Sequence, residues 1–214
     1  MNLLYRFAQL SSWFYFKVFH RIEIKGAENI PTTGAFILAS NHTSYFDPPA
    51  LGCKCPRNLH YFARDSLFFW PLGVLISNLN SIPVNRSQLD IATLKRVLKV
   101  LKGGDPLLLF PEGTRSADGN LGEGKKGIGL LLAKSQVDVL PARVTGGNKV
   151  LGKGMLFPRI GRKLVVEYGT LLKIDTLDPG KSDTNRYEII SNKVLAEISP
   201  NLATCFLSWG VLAS

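Results

Sequence analysis

Short apolar runs alternate with segments of helical periodicity through most of this chain, and that alternation restricts it to a layered α/β fold. Residues 22–25, 35–39, 59–63, 81–84, 107–110, 137–144 and 164–169 read as strands, the second of them following the turn signal Pro31-Thr32-Thr33-Gly34. The clearest helix starts at residue 91. It sets Ile91, Leu94, Val97, Leu98 and Leu101 on one face and Lys95, Arg96, Lys99 and Lys102 on the other, with Asp90 placed to cap it and Gly103-Gly104 to stop it. Residues 127–135 and 184–199 are further helices by the same criterion. The fold class expected is α/β, a mixed central sheet with flanking helices.

A chain of 214 residues, 45% of them hydrophobic, is enough for one domain with a sizeable core. We divide it into an N-terminal helix at 1–20, a main domain at 21–200 and an apolar tail at 201–214. The excess of 26 Lys and Arg over 16 Asp and Glu gives +10, so the partner is expected to be anionic. Arg143, Lys149, Lys153, Arg159, Arg162 and Lys163 fall between Pro141 and Val166, a stretch without Asp or Glu. Cys53, Cys55 and Cys205 match neither zinc nor redox spacing and read as ordinary thiols in a reducing compartment. No stretch has the layout of a secretory signal, which puts the working face in the cytosol.

The first twenty residues have no uncharged run near the roughly 20 apolar residues a bilayer span requires. Wound at about 100° per residue, they gather Asn2, Arg6, Gln9, Trp13, Lys17 and His20 in one stripe, with Leu3, Leu4, Phe7, Leu10, Phe14, Tyr15, Val18 and Phe19 around the rest. Two placements fit such a helix: in a membrane interface with its cations toward anionic headgroups, or docked on the protein's own core.

Two motifs carry the chemistry. Asn41-His42-Thr43-Ser44-Tyr45-Phe46-Asp47 pairs an imidazole with a carboxylate at HxxxxD spacing. Imidazole suits general-base work near neutral pH, and Asp47 is placed to accept from Nδ1 and leave Nε2 free to take a proton. Asp47 precedes Pro48, so it also suits a helix N-cap. Backbone N–H groups near this motif are the nearest candidates for holding an oxyanion.

Phe110-Pro111-Glu112-Gly113-Thr114-Arg115-Ser116 follows an apolar strand, where ligands bind in open α/β sheets. Gly113 lets backbone approach a ligand, and Arg115 offers a planar fork that matches phosphate. Arg64 and Arg86 each follow a strand and are weaker signals. His20 and His60 have no companions for catalysis. Neither metal-ligand spacing nor a nucleotide-binding glycine pattern is present, so no bound metal or cofactor is expected.

In this order the motifs resemble the glycerolipid acyltransferase family, the 1-acylglycerol-3-phosphate acyltransferases. The similarity covers roughly residues 20–170, with its four blocks at 41–47, 81–86, 110–116 and 139–146. It implies His42 as base with Asp47 as its partner, and Arg86 in the substrate pocket. It also implies Glu112 and Arg115 on the glycerol phosphate, with Gly113 and Thr114 beside them, and Pro141 shaping the acyl channel. Arg64 stands where the family usually has lysine, and the N-terminal anchor is shorter than in many relatives.

The resemblance implies acyl transfer from acyl-CoA or acyl carrier protein to the free hydroxyl of lysophosphatidic acid. It implies no acyl-enzyme, and a peripheral or monotopic place on the cytoplasmic face of a membrane, the cell inner membrane. Glycerol 3-phosphate or another lysophospholipid stays open as acceptor. A basic nucleic-acid-binding module is the reading from another class. The aromatic residues gather at the N-terminus and do not interleave with the basic stretch, so no nucleic-acid partner is expected.

Overall fold

The computed structural model describes residues 3–84 and 91–199. Helix α1 (Leu3–His20) precedes β1 (Glu23–Lys25) and β2 (Phe36–Ser40), and α2 (Asp47–Gly52) leads to β3 (His60–Arg64), α3 (Leu72–Asn78) and β4 (Ser81–Val84). Next come α4 (Ile91–Lys102), β5 (Leu107–Leu109), α5 (Lys126–Ser135), β6 (Asp138–Thr145) and α6 (Gly147–Leu151). The described chain closes with β7 (Val165–Tyr168), α7 (Ile174–Leu177) and α8 (Arg186–Ile198). The strands form one sheet in the order β1-β7-β6-β2-β5-β3-β4. From β6 to β4 all pairs are parallel, while β7 runs antiparallel to β6 and carries β1 parallel beside it, so the sheet is mixed as expected.

Every residue of β2 is buried because helices cover both faces of the sheet. Phe36 and Leu38 enter one cluster with Phe16, Leu51, Leu59 and Leu140, and Ile37 and Ala39 enter the other with Val97, Leu132, Val139 and Ile190. This period of two on a strand buried from both sides is why the run reads as continuously apolar. Ile37, Leu38 and Ala39 pair in register with Leu107, Leu108 and Leu109, so the carboxyl ends of β2 and β5 deliver the two motifs side by side.

Several expectations need correction. Ile91 is exposed and does not join Val97 and Leu101 in the core, since it lies in the first turn of α4. Its expected cap Asp90, together with Arg86, Cys205 and the tail at 201–214, lies outside the described residues. Helices α3, α6 and α7 are too short to carry a readable period. Pro141 is buried inside β6 opposite Ala39, its carbonyl accepting from Gly169 N–H at 2.8 Å, and it is not among the residues lining the cavity described below.

Helix α1 is docked on the body, but the face turned inward is not the one expected. Gln9 is buried, and its amide donates to the carbonyls of Gly52 and Cys55 at 2.9 Å each. His20 is buried, and Trp13 lies under Lys54, whose Nζ is 4.4 Å from the ring centroid. Tyr5 shares a hydrogen bond of 2.6 Å with Tyr61 and accepts from Leu59 N–H, and burial pushes its phenol up to about 12. Part of the polar stripe thus faces the protein, where the Gln9 amide nitrogen finds two backbone acceptors. The outward face carries Leu3, Phe7, Leu10, Phe14 and Val18, flanked by exposed Arg6 and Lys17. No helix among the described residues is long and apolar enough to cross a membrane.

Candidate active site

The first motif leaves the carboxyl end of β2 and stays buried to Ser44. Asn41 extends the sheet with its side chain, its amide donating to Val144 O at 2.9 Å and accepting from Val144 N–H at 2.7 Å. His42 is gripped by the second motif: its N–H donates to Glu112 Oε1 at 2.8 Å, and its carbonyl accepts from Ser116 N–H at 2.8 Å. The ring stacks on Phe110 with centroids 3.9 Å apart. Main chain and ring plane are therefore both fixed before any substrate arrives.

Asp47 Oδ2 accepts from His42 Nδ1 at 2.9 Å and from the N–H groups of Thr43 and Ser44 at 2.6 and 2.8 Å. An acceptor with three donors keeps the proton on Nδ1 and leaves Nε2 as the basic nitrogen. The expected cap is not formed. Asp47 is already helical, and its carboxylate turns back to the preceding loop.

The oxyanion expectation also changes. The N–H groups from His42 to Asp47 all have internal acceptors: Glu112, Asp47 twice, Leu151 O, Ser44 Oγ and Ser44 O. Glu112 Oε1 holds His42 N–H and Oε2 holds Gly122 N–H at 3.0 Å. It ties the two motifs together and is not among the residues lining the cavity described below.

Arg115 lies over the Tyr45 ring, its Cζ 3.5 Å from the ring centroid, and its buried Nη1 has no hydrogen-bond partner. A stacked guanidinium with an open fork is held ready for an anion. Gly113 has a φ of +67, and a Cβ there would sit 3.1 Å from Cδ and Cε of Lys125 and 3.2 Å from its Nζ. Lys125 thus lies over Gly113 and lines the same cavity as Arg115. Sequence reasoning passed over Lys125, although there was a signal. It occupies the N-cap of α5, a helix with no acidic residue in its first turn, and a cation there opposes the helix dipole. A local rule broken in this way often marks a functional position.

His42, Arg64, Gly113, Arg115 and Lys125 line one cavity of about 860 Å³, within the usual range for small-molecule sites. Much of the remaining wall is apolar, including Ala8, Pro48, Leu94, Val97, Leu109, Ile128 and Leu131. Thr114 is exposed and does not line it. Cys53 does, but burial pushes its thiol up to about 12, so it is a poor nucleophile near neutral pH.

Residues 21–145 match the sequence pattern of the family described as Acyltransferase. The chain belongs to this family. It is 35% identical over 142 residues, 64% of this chain, to a chloroplast 1-acyl-sn-glycerol-3-phosphate acyltransferase of Arabidopsis thaliana. It is 29% identical over 150 residues, 67% of this chain, to a Bacillus subtilis protein of the same description. The matched region is 39% of the Arabidopsis protein and 73% of the Bacillus one. The crystal structure of the 1-acyl-sn-glycerophosphate acyltransferase PlsC of Thermotoga maritima has the same fold. It superposes with a TM-score of 0.74 at 24% identity, covering 96% of this chain and 79% of that one.

One further residue of this chain was not legible in the sequence. A Cβ on Gly147, at the start of α6, would meet Thr43 Oγ1 at 2.6 Å, Asp47 Oδ1 at 2.8 Å and Ser44 Cβ at 3.0 Å. Its lack of a side chain makes room for the His42 partner. Gly147→Ala is expected to displace Asp47 and lower kcat by about 10²-fold, the usual scale for a small misplacement of catalytic groups. Steady-state kinetics beside a thermal melt check this: a lowered Tm with kcat unchanged would contradict it.

Proposed function

We propose that this acyltransferase moves a fatty acyl group from a thioester, acyl-CoA or acyl carrier protein, to the free hydroxyl of 1-acylglycerol 3-phosphate, giving phosphatidic acid. The observation that carries the reading is one cavity holding both an imidazole oriented by Asp47 and an open Arg115 guanidinium, beside walls that suit an acyl chain. The activity in the names of the relatives supports the same acceptor.

His42 Nε2 takes the hydroxyl proton as the oxygen attacks the thioester carbonyl. The tetrahedral adduct collapses, the C–S bond breaks, and the imidazolium returns its proton to the leaving thiolate. Asp47 orients the ring and stabilises the imidazolium. Arg115, with Lys125 across Gly113 and the N-terminus of α5 behind them, holds the phosphate.

The enzyme works at the cytoplasmic face of a membrane, the cell inner membrane. The support is the apolar outer face of α1, together with exposed Leu67, Phe69, Trp70, Val74 and Leu75 beside the cavity wall formed by Leu67, Ile76 and Leu79. Drawing a long-chain acceptor fully into water costs about 0.8 kcal/mol per CH₂, which a site held at the leaflet avoids. An acceptor and donor screen with the purified protein, read by the mass of the lipid product, tests the proposal. Phosphatidic acid from lysophosphatidic acid is expected. Product from glycerol 3-phosphate alone, or from phosphate-free lysolipids equally well, would overturn it.

A further inference from the structure

The cations of the basic stretch after Pro141 line no part of the cavity described above. Within it, residues 152–163 form an irregular loop between α6 and β7. Leu156, Phe157 and Ile160 are 88%, 80% and 67% exposed, although apolar side chains so displayed gain nothing from water. Lys153, Arg159 and Arg162 are exposed among them. Lys163 pairs with Glu23, whereas those three cations make no ion pair among the described residues.

The loop backbone is pinned in place. Arg159 N–H donates to Val150 O at 2.8 Å, Gly161 N–H to Phe19 O at 2.8 Å, and Leu164 N–H to His20 O at 3.2 Å. The last two bonds seat the loop against the C-terminal end of α1, next to the turn that exposes Phe14, Val18 and Phe19. Apolar tips held outward, cations interleaved with them and continuity with an apolar helix face together describe a surface with one chemical complement. Lipid phosphates accept the cations, and the acyl boundary just below accepts the tips.

We propose that residues 152–163 form a second membrane contact, which inserts Leu156, Phe157 and Ile160 into an anionic leaflet and binds its headgroups through Lys153, Arg159 and Arg162. This deepens the membrane reading of α1 given above and rests on it for location, but it is separable by experiment. Each basic residue near an anionic surface contributes roughly fivefold to binding. Lys153→Gln with Arg159→Gln and Arg162→Gln should therefore weaken binding to vesicles containing phosphatidylglycerol by about 10²-fold and change binding to pure phosphatidylcholine little.

Leu156→Ser with Phe157→Ser and Ile160→Ser should weaken binding to both kinds of vesicle by at least about tenfold, through lost apolar burial. The whole chain is used in a vesicle sedimentation assay, and both variants should keep wild-type turnover on a short-chain, water-soluble acceptor. Vesicle binding unchanged in both variants would overturn the proposal. If Phe7→Ser with Phe14→Ser abolishes binding while the loop variants retain it, the loop proposal fails and the α1 reading stands. Loss of a dimer in the serine variant, seen by sedimentation velocity with vesicle binding intact, would also overturn it and make this face a contact between copies.

Discussion

Replacing His42 by alanine lowers turnover by at least about 10²-fold while phosphate-acceptor binding survives, because only the proton transfer is lost and the anion site is built from other residues. The surroundings explain why the loss is large. His42 has its ring stacked on Phe110, its main chain tied to Glu112 and Ser116, and Nδ1 fixed by Asp47, so no neighbour is placed to substitute for it. Asp47→Asn should also be slow, since an amide stabilises an imidazolium poorly. Circular dichroism and acceptor binding, measured beside kcat, separate chemistry from folding. Near wild-type turnover in a folded His42→Ala protein would remove the general base from the account.

The second large effect concerns the anion clamp. Arg115→Lys keeps the charge but loses the fork and its contact over the Tyr45 ring, and charge-assisted hydrogen bonds contribute about 1.5–3 kcal/mol each. The acceptor KM should rise by about 10–100-fold on that scale, with the donor KM nearly constant. Lys125→Met should act in the same direction, and the double variant should fall short of the product of the single effects because both side chains hold one group. An acceptor KM unchanged in Arg115→Lys would move the phosphate toward Arg64 or Lys125.

The layered fold was legible because the central strands β2, β5 and β6 are largely buried on both faces and so form short apolar runs, whereas the flanking helices keep one wet face. What could not be read were features decided by hydrogen bonds between distant segments. Gln9 looks like part of an outward stripe until the carbonyls of Gly52 and Cys55 appear beneath it. The hold of Glu112 on the backbone N–H groups of His42 and Gly122 shows only when the two loops meet. Gly147 carries no local signal, because its reason is the Asp47 carboxylate a hundred residues earlier in the chain. The His42 and Asp47 pairing was legible, since five residues across a strand end and a helix start bring the two side chains together. Lys125 was legible only to a reader weighing it against the dipole of the helix it begins.

The central claim is direct transfer from the thioester to a hydroxyl held beside His42. It is tested most directly by quenching the enzyme with acyl donor, in the presence and absence of 1-acylglycerol 3-phosphate, and measuring the intact masses of protein and lipid. Direct transfer leaves the protein mass unchanged in both samples and gives a lipid heavier by one acyl group only when the acceptor is present. A protein carrying an acyl group that disappears when the acceptor is added would contradict it.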